Sequence, residues 1–180
     1  MNLPNKLTIL RVCLIPFFVL FMLADLFGTA DKYIAVAIFI AASLTDMADG
    51  KIARKYNLVT NFGKFMDPLA DKLLVGAALI CLSGVKIPVW IVIVIISREF
   101  IISGFRLVAS DNGVVLAASW WGKCKTATQM VMIIVLILAL PGGFFKVLEQ
   151  ILIYASLILT IISMLDYLIK NKHVLTEGPM

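Results

Sequence analysis

Long apolar runs separated by short polar breaks dominate the pattern of this chain. A membrane-spanning helix needs about 20 mostly apolar residues. The runs predict six such helices, at residues 8–28, 32–54, 65–84, 87–109, 120–140 and 146–169. Gly, Pro, Asn and Asp mark most of the breaks, as in "SGVKIP" and "PGGFFK". The pattern therefore predicts an all-α integral membrane protein with a single domain over residues 1–180.

The first stretch, "NLPNKLTILRVCLIPFF", mixes polar and apolar residues before the apolar run takes over. Asn5, Thr8 and Arg11 recur at every third position, so they share one face of a helix. We expect a short interfacial helical segment here, which leads into the first span. Because five further apolar segments follow, residues 1–30 are interpreted as mature structure rather than as a cleaved signal peptide.

Composition supports the membrane prediction and narrows the chemistry. Hydrophobic residues make up 62% of the 180 residues, well above the roughly 45–50% of soluble domains. Three scattered cysteines and a single histidine argue against a disulfide framework or a zinc site, so any metal is expected to be hard and oxygen-bound. Lys and Arg collect on one side of the predicted topology, which the positive-inside rule makes cytoplasmic. Six spans then place both termini on that side.

Four aspartates interrupt the apolar pattern in "DMADGKIARKYNLVTNFGKFMDPLAD", residues 46–71. An aspartate at the centre of a membrane helix costs about 2.5–3.5 kcal/mol. Asp46 and Asp49 are three residues apart, and Asp67 and Asp71 are four apart, so each pair shares a helix face. Carboxylates gathered at one point repel each other unless a cation is present, and hard divalent cations prefer oxygen ligands. The spacing therefore predicts a divalent metal site.

Small residues accompany the aspartates. Gly50 and Ala53 lie on the stripe of the first pair and Gly63 on that of the second, which leaves room for a ligand close to the backbone. Arg54 and nearby lysines supply the positive charge that a phosphate-rich substrate needs. These residues favour metal-dependent phosphoryl-type transfer at the cytoplasmic interface. Two alternatives stay open: solvated loop ion pairs, or the proton or cation pathway of a transporter.

At every defined position the aspartate segment resembles the signature of the CDP-alcohol phosphotransferase family: Asp46-x-x-Asp49-Gly50-x-x-Ala53-Arg54, then Gly63-x-x-x-Asp67-x-x-x-Asp71. The resemblance implies transfer of a substituted phosphate from a CDP-linked lipid to an alcohol, with release of CMP. It implies that the four aspartates hold two divalent cations, Mg²⁺ or Mn²⁺, and that Asp71 also deprotonates the attacking hydroxyl. It further implies a CDP site lined by Gly50, Ala53, Arg54 and Gly63.

Charged residues also interrupt two later spans, in "SREFIISGFR" and "GKCKTATQ". Together, Arg98, Arg106, Lys123 and Lys125 would form a site for a second anion, as an acceptor that carries its own phosphate requires. Each has a structural alternative when taken singly. Arg98 and Glu99 would form a local ion pair, and either lysine would snorkel to the membrane interface.

Together with "PNKLTILR", these motifs are similar to those of bacterial family members that couple CDP-diacylglycerol to glycerol 3-phosphate. The resemblance implies that the acceptor phosphate is bound by Thr8, Arg98, Arg106, Lys123 and Lys125, with Arg11 as a further candidate. Inositol phosphate, serine and phosphatidylglycerol stay open as acceptors. The resemblance also implies a homodimer in the bacterial inner membrane, with its active site facing the cytoplasm. No nucleic-acid partner is expected.

Overall fold

The computed structural model describes residues 3–55, 61–111 and 119–171, without the side chains of residues 3–4, 46–55, 61–65, 67–68, 108 and 110–111. This part of the chain holds six α-helices and no β-strand: α1 (Leu3–Leu23), α2 (Ala30–Lys55), α3 (Asn61–Leu82), α4 (Val89–Asp111), α5 (Trp120–Leu138) and α6 (Gly143–Lys170). The chain divides into two compact units, Met1–Leu82 with α1–α3 and Ser83–Met180 with α4–α6. The predicted all-helical architecture is confirmed.

Small residues let the helices of the first unit pack closely. In this unit α1 contacts both α2 and α3, and α2 contacts α3. Ala42 of α2 and Ala70 of α3 are fully buried, and the rings of Phe18 and Phe39 lie 5.9 Å apart between α1 and α2. Alanine at such positions allows two backbones to approach, which is how membrane helices gain van der Waals contact. The core of the unit is therefore an apolar three-helix contact.

The polar stripe of the N-terminal stretch lies inside the first unit. Asn5, Thr8 and Arg11 are only 7%, 0% and 1% exposed. The Arg11 Nε donates a hydrogen bond of 3.2 Å to the carbonyl oxygen of Ala42, so the guanidinium links α1 to α2. The stretch runs into the apolar part of α1 without a break. The predicted interfacial segment and the first span are thus one continuous helix.

The first helix ends earlier than predicted, at Leu23 rather than at residue 28. The buried Asp31 carboxylate accepts hydrogen bonds from the backbone amides of Leu26 and Phe27, at 2.9 and 3.0 Å. Gly28 has a φ of 61°, a left-handed conformation that costs glycine little. These bonds hold "DLFG" as a turn between α1 and α2, where the apolar pattern alone had predicted helix.

In the second unit, capping residues set the ends of α5, and α6 contacts both α5 and α4. The Ser119 hydroxyl oxygen accepts a hydrogen bond from the Gly122 amide at 3.1 Å, as an N-cap does. Ala139 adopts a left-handed conformation and closes the other end. Lys86 donates to both carboxylate oxygens of the buried Glu149 at 3.3 Å, which ties the segment before α4 to α6.

Among the described residues, three helices are long and apolar enough to cross a membrane: Asn5–Leu23, Trp120–Leu138 and Gly143–Lys170. Large apolar side chains are exposed on them, including Trp120 at 72% and Phe144 at 73%. Together these features indicate a membrane protein. The helix α3 begins at Asn61, ahead of the predicted start at residue 65.

Replacing Asp31 with alanine tests the turn between α1 and α2. We expect Asp31→Ala to lower the free energy of unfolding by roughly 1–3 kcal/mol, because two backbone amides lose a charged acceptor. Asp25→Ala, in the exposed part of the same turn, is the matched control and should change it little. Thermal unfolding of the detergent-solubilised protein measures both. Equal shifts in Tm for the two variants would contradict this account.

Candidate functional site

The backbone of α2 extends through the positions of the first aspartate pair. Phe39 and Ala42 are fully buried on this helix. Steps of three and four residues carry the same stripe to positions 46, 49 and 53. Helical spacing therefore puts positions 46 and 49 in register with Phe39 and Ala42 along α2.

The positions of the second aspartate pair lie in the backbone of α3. Leu74 and Ala78 are 1% and 0% exposed. The same helical steps carry this stripe back through position 71 to position 67. Asp71 itself is partly buried. Since α2 contacts α3, both pairs lie on helices that pack against each other.

Most side chains of the predicted metal and CDP sites lie outside the described part of the structure: Asp46, Asp49, Gly50, Ala53, Arg54, Gly63 and Asp67. Among the described residues, no group of three or more His, Cys, Asp or Glu is placed to hold a metal ion, and Asp71 is the one predicted ligand among them. The chemistry of the donor set nevertheless fits Mg²⁺ or Mn²⁺, because carboxylate oxygens are what these ions prefer.

A buried cluster of charges links α4 to α5 in the second unit. One oxygen of Glu99, Oε1, accepts hydrogen bonds from Arg98 Nη1 at 3.0 Å and from the Lys125 ammonium. The side chains of Arg98 and Lys125 are 9% and 3% exposed, so Lys125 does not snorkel to the surface. Among the described contacts, two cations share this one carboxylate. Such a cluster favours an anionic ligand.

The Arg98 guanidinium retains an unused donor. Its Nε is buried and has no hydrogen-bond partner in the described part of the chain. A Cβ added to Gly122 would lie 3.8 Å from Arg98 Nη2, so the guanidinium lies against the first turn of α5. Helix N-termini carry partial positive charge. The Arg98 guanidinium beside the N-terminus of α5 is therefore stabilised when an anion binds between the two.

Three further predicted acceptor residues are described: Arg106, Lys123 and Thr8. The exposed Arg106 donates from Nε to the Tyr167 hydroxyl at 3.4 Å, with its guanidinium carbon 5.6 Å from the ring centroid. Lys123 is exposed on the first turn of α5, and Thr8 is fully buried in the first unit. The structure thus joins Arg98 and Lys125 through Glu99 and places Arg106 against Tyr167.

Sequence reasoning missed two partners in these contacts. It considered Glu99 as a neighbour of Arg98 but did not pair it with Lys125, which lies on another helix. Tyr167 was not singled out, although its ring faces both Arg106 and Phe105. Tyr167 could have been singled out as a tyrosine near the end of an apolar helix, because a buried tyrosine hydroxyl usually has a hydrogen-bond partner.

Comparisons with known proteins agree with the aspartate signature. The family model for CDP-alcohol phosphatidyltransferase matches residues 1–162. The CDP-diacylglycerol–glycerol-3-phosphate 3-phosphatidyltransferase of Bacillus subtilis is 46% identical over 97% of each chain. The protein of that name in Haemophilus influenzae is 41% identical over 98% of this chain and 97% of its own. A probable phosphatidylglycerophosphate synthase of Mycobacterium tuberculosis is 41% identical over 92% of this chain and 79% of its own.

Members of this family generally depend on a divalent cation, which accords with the four aspartate positions. The match of the family model and the similarity to these relatives both cover most of the chain. This chain belongs to the CDP-alcohol phosphatidyltransferase family.

Proposed function

We propose that this protein transfers the phosphatidyl group of CDP-diacylglycerol to glycerol 3-phosphate, which gives phosphatidylglycerophosphate and CMP. The observation that carries the proposal is the 46% identity, over 97% of both chains, to the CDP-diacylglycerol–glycerol-3-phosphate 3-phosphatidyltransferase of Bacillus subtilis. The buried cluster of Arg98, Glu99 and Lys125 supports it, because an acceptor that carries a phosphate needs a cationic site.

The reaction joins the acceptor hydroxyl oxygen to the phosphatidyl phosphorus and breaks the phosphorus–oxygen bond to CMP. Asp46, Asp49, Asp67 and Asp71 would hold two divalent ions, Mg²⁺ or Mn²⁺. When bound, such ions neutralise the pyrophosphate and stabilise the departing CMP. Asp71 takes the proton of the acceptor hydroxyl, which makes the oxygen a better nucleophile. The partial burial of Asp71 supports this role, because it limits competing water.

The acceptor phosphate is bound by Thr8, Arg98, Arg106, Lys123 and Lys125 in this proposal. Glu99 holds the Arg98 guanidinium and the Lys125 ammonium in place before the acceptor arrives, and the remaining positive charge attracts the phosphate. Holding both cations in advance lowers the ordering cost of binding. Arg106 is held by the ring and hydroxyl of Tyr167 and contributes a further cation.

Gly50, Ala53, Arg54 and Gly63 line the CDP site in the same proposal. Residues 1–180 act as a single catalytic domain with six spans, and the first turns of α1 lie at the interface. Both termini and the active site face the cytoplasm of a bacterial inner membrane, as the Lys and Arg distribution favours. The lipid tails then stay in the bilayer while the polar acceptor arrives from water. The working form is a homodimer.

Replacing Asp71 with asparagine tests the proton acceptor. We expect Asp71→Asn to lower CMP release by about 100-fold or more, because the amide cannot accept the proton. Asp25→Asn, at an exposed aspartate of the same unit, should retain wild-type turnover. Thermal unfolding of both variants shows whether they fold. Wild-type turnover by a folded Asp71→Asn protein would refute the assignment.

Replacing Arg106 with alanine tests the acceptor site. Arg106→Ala should raise the KM for glycerol 3-phosphate about tenfold or more, because a charge-assisted contact to phosphate is lost, and should change the KM for CDP-diacylglycerol much less. Lys170→Ala removes an exposed cation paired with Asp166 and serves as the control. Steady-state kinetics with each substrate varied in turn measure the effect. An equal rise in both KM values would assign Arg106 a structural role.

A further inference from the structure

A second buried polar residue lies one helical turn beyond Lys125 on α5. Gln129 is 2% exposed, and neither its amide oxygen nor its amide nitrogen has a hydrogen-bond partner in the described part of the chain. The next buried positions of the helix, Met132 and Ile133, are apolar. Gln129 is thus the last polar group on the buried face of α5 before that face becomes wholly apolar.

A buried amide that lacks hydrogen-bond partners is a candidate for binding a ligand. Buried polar groups in folded proteins nearly always have hydrogen-bond partners, and an unpaired one is destabilising. The Gln129 amide offers both a donor and an acceptor and carries no charge. A neutral group that both donates and accepts, such as an alcohol hydroxyl, satisfies it better than an ion does.

The spacing of Gln129 from Lys125 suits an acceptor with a phosphate at one end. Side chains four residues apart on a helix lie on one face, with their Cβ atoms about 5–6 Å apart. Both residues are buried on the same face of α5. In glycerol 3-phosphate the central hydroxyl oxygen is four bonds from the phosphorus, so one acceptor molecule can contact side chains on successive helical turns. If Lys125 binds the phosphate, Gln129 is within reach of that hydroxyl.

We propose that Gln129 recognises the central hydroxyl of the acceptor, through the juxtaposition of its unpaired amide with Lys125 on the buried face of α5. The inference rests on the proposed function and deepens it, because it names a group that separates glycerol 3-phosphate from phosphorylated alcohols without a hydroxyl at that position. A site built to bond a hydroxyl discriminates strongly against an analogue that lacks it. Gln129 is therefore a specificity residue.

A structural role for the same amide makes a different prediction. Ser156, on the buried face of α6, also has a hydroxyl without a partner in the described part of the chain. Polar side chains of neighbouring membrane helices often bond to each other. A bond between Gln129 and Ser156 would stabilise the packing of α5 on α6, and its loss would affect every acceptor alike.

The test compares two acceptors on the full chain. One is glycerol 3-phosphate, and the other is 3-hydroxypropyl phosphate, which keeps the phosphate and a primary hydroxyl but lacks the central one. The value of kcat/KM is measured from CMP release for the wild type and for Gln129→Met, which keeps the length of the side chain. Gln150→Leu, which removes an exposed amide from α6, is the control.

We expect the wild type and the control to prefer glycerol 3-phosphate by roughly tenfold or more, and Gln129→Met to lose that preference by reacting more slowly with glycerol 3-phosphate alone. Equal use of both acceptors by the wild type would overturn the inference, as would an equal loss on both acceptors in Gln129→Met. Absence of wild-type CMP release with glycerol 3-phosphate would instead refute the proposed function. If Gln129→Met does not fold, Gln129→Asn withdraws the amide by one methylene and should lose part of the preference.

Discussion

Charge buried in an apolar chain must be compensated nearby, and the described structure is organised around this constraint. Arg11 in α1 donates to a backbone carbonyl of α2, and Asp31 accepts from two backbone amides of the turn before it. Glu149 pairs with Lys86, and Glu99 takes two cations. Burying an ion without such partners costs several kcal/mol. Among the buried polar atoms without a partner in the described part of the chain, those of Arg98 and Gln129 are the ones that we propose bind the acceptor.

The existence and order of the helices could be predicted because long apolar runs leave a membrane chain few alternatives to helix. Their ends depend on single polar contacts. The first helix stops early because Asp31 binds two backbone amides, although apolar residues continue past Leu23 to Phe27. Ala139 ends α5 in a left-handed conformation. The sequence does not predict this helix end, because alanine favours helix.

The aspartate signature identified the family from sequence because its residues are close in the chain and fixed by helical spacing. The acceptor residues are scattered over several helices, so their partners depend on tertiary packing. An ion pair of Arg98 with Glu99 and snorkelling by Lys125 were both compatible with the sequence. The structure contains the ion pair of Arg98 with Glu99. Lys125 does not snorkel and instead donates to Glu99. Arg106 likewise donates a hydrogen bond to Tyr167, which lies 61 positions away in the sequence.

The most direct test of the proposed activity is CMP release by the purified full chain, supplied with CDP-diacylglycerol, Mg²⁺ and one acceptor at a time. The panel contains glycerol 3-phosphate, inositol phosphate, serine and phosphatidylglycerol. The account predicts release that depends on glycerol 3-phosphate, with phosphatidylglycerophosphate formed in equal amount. Release with another acceptor alone would retain the family chemistry and contradict the acceptor assignment. No release with any acceptor, from protein shown to be folded, would contradict the transferase activity itself.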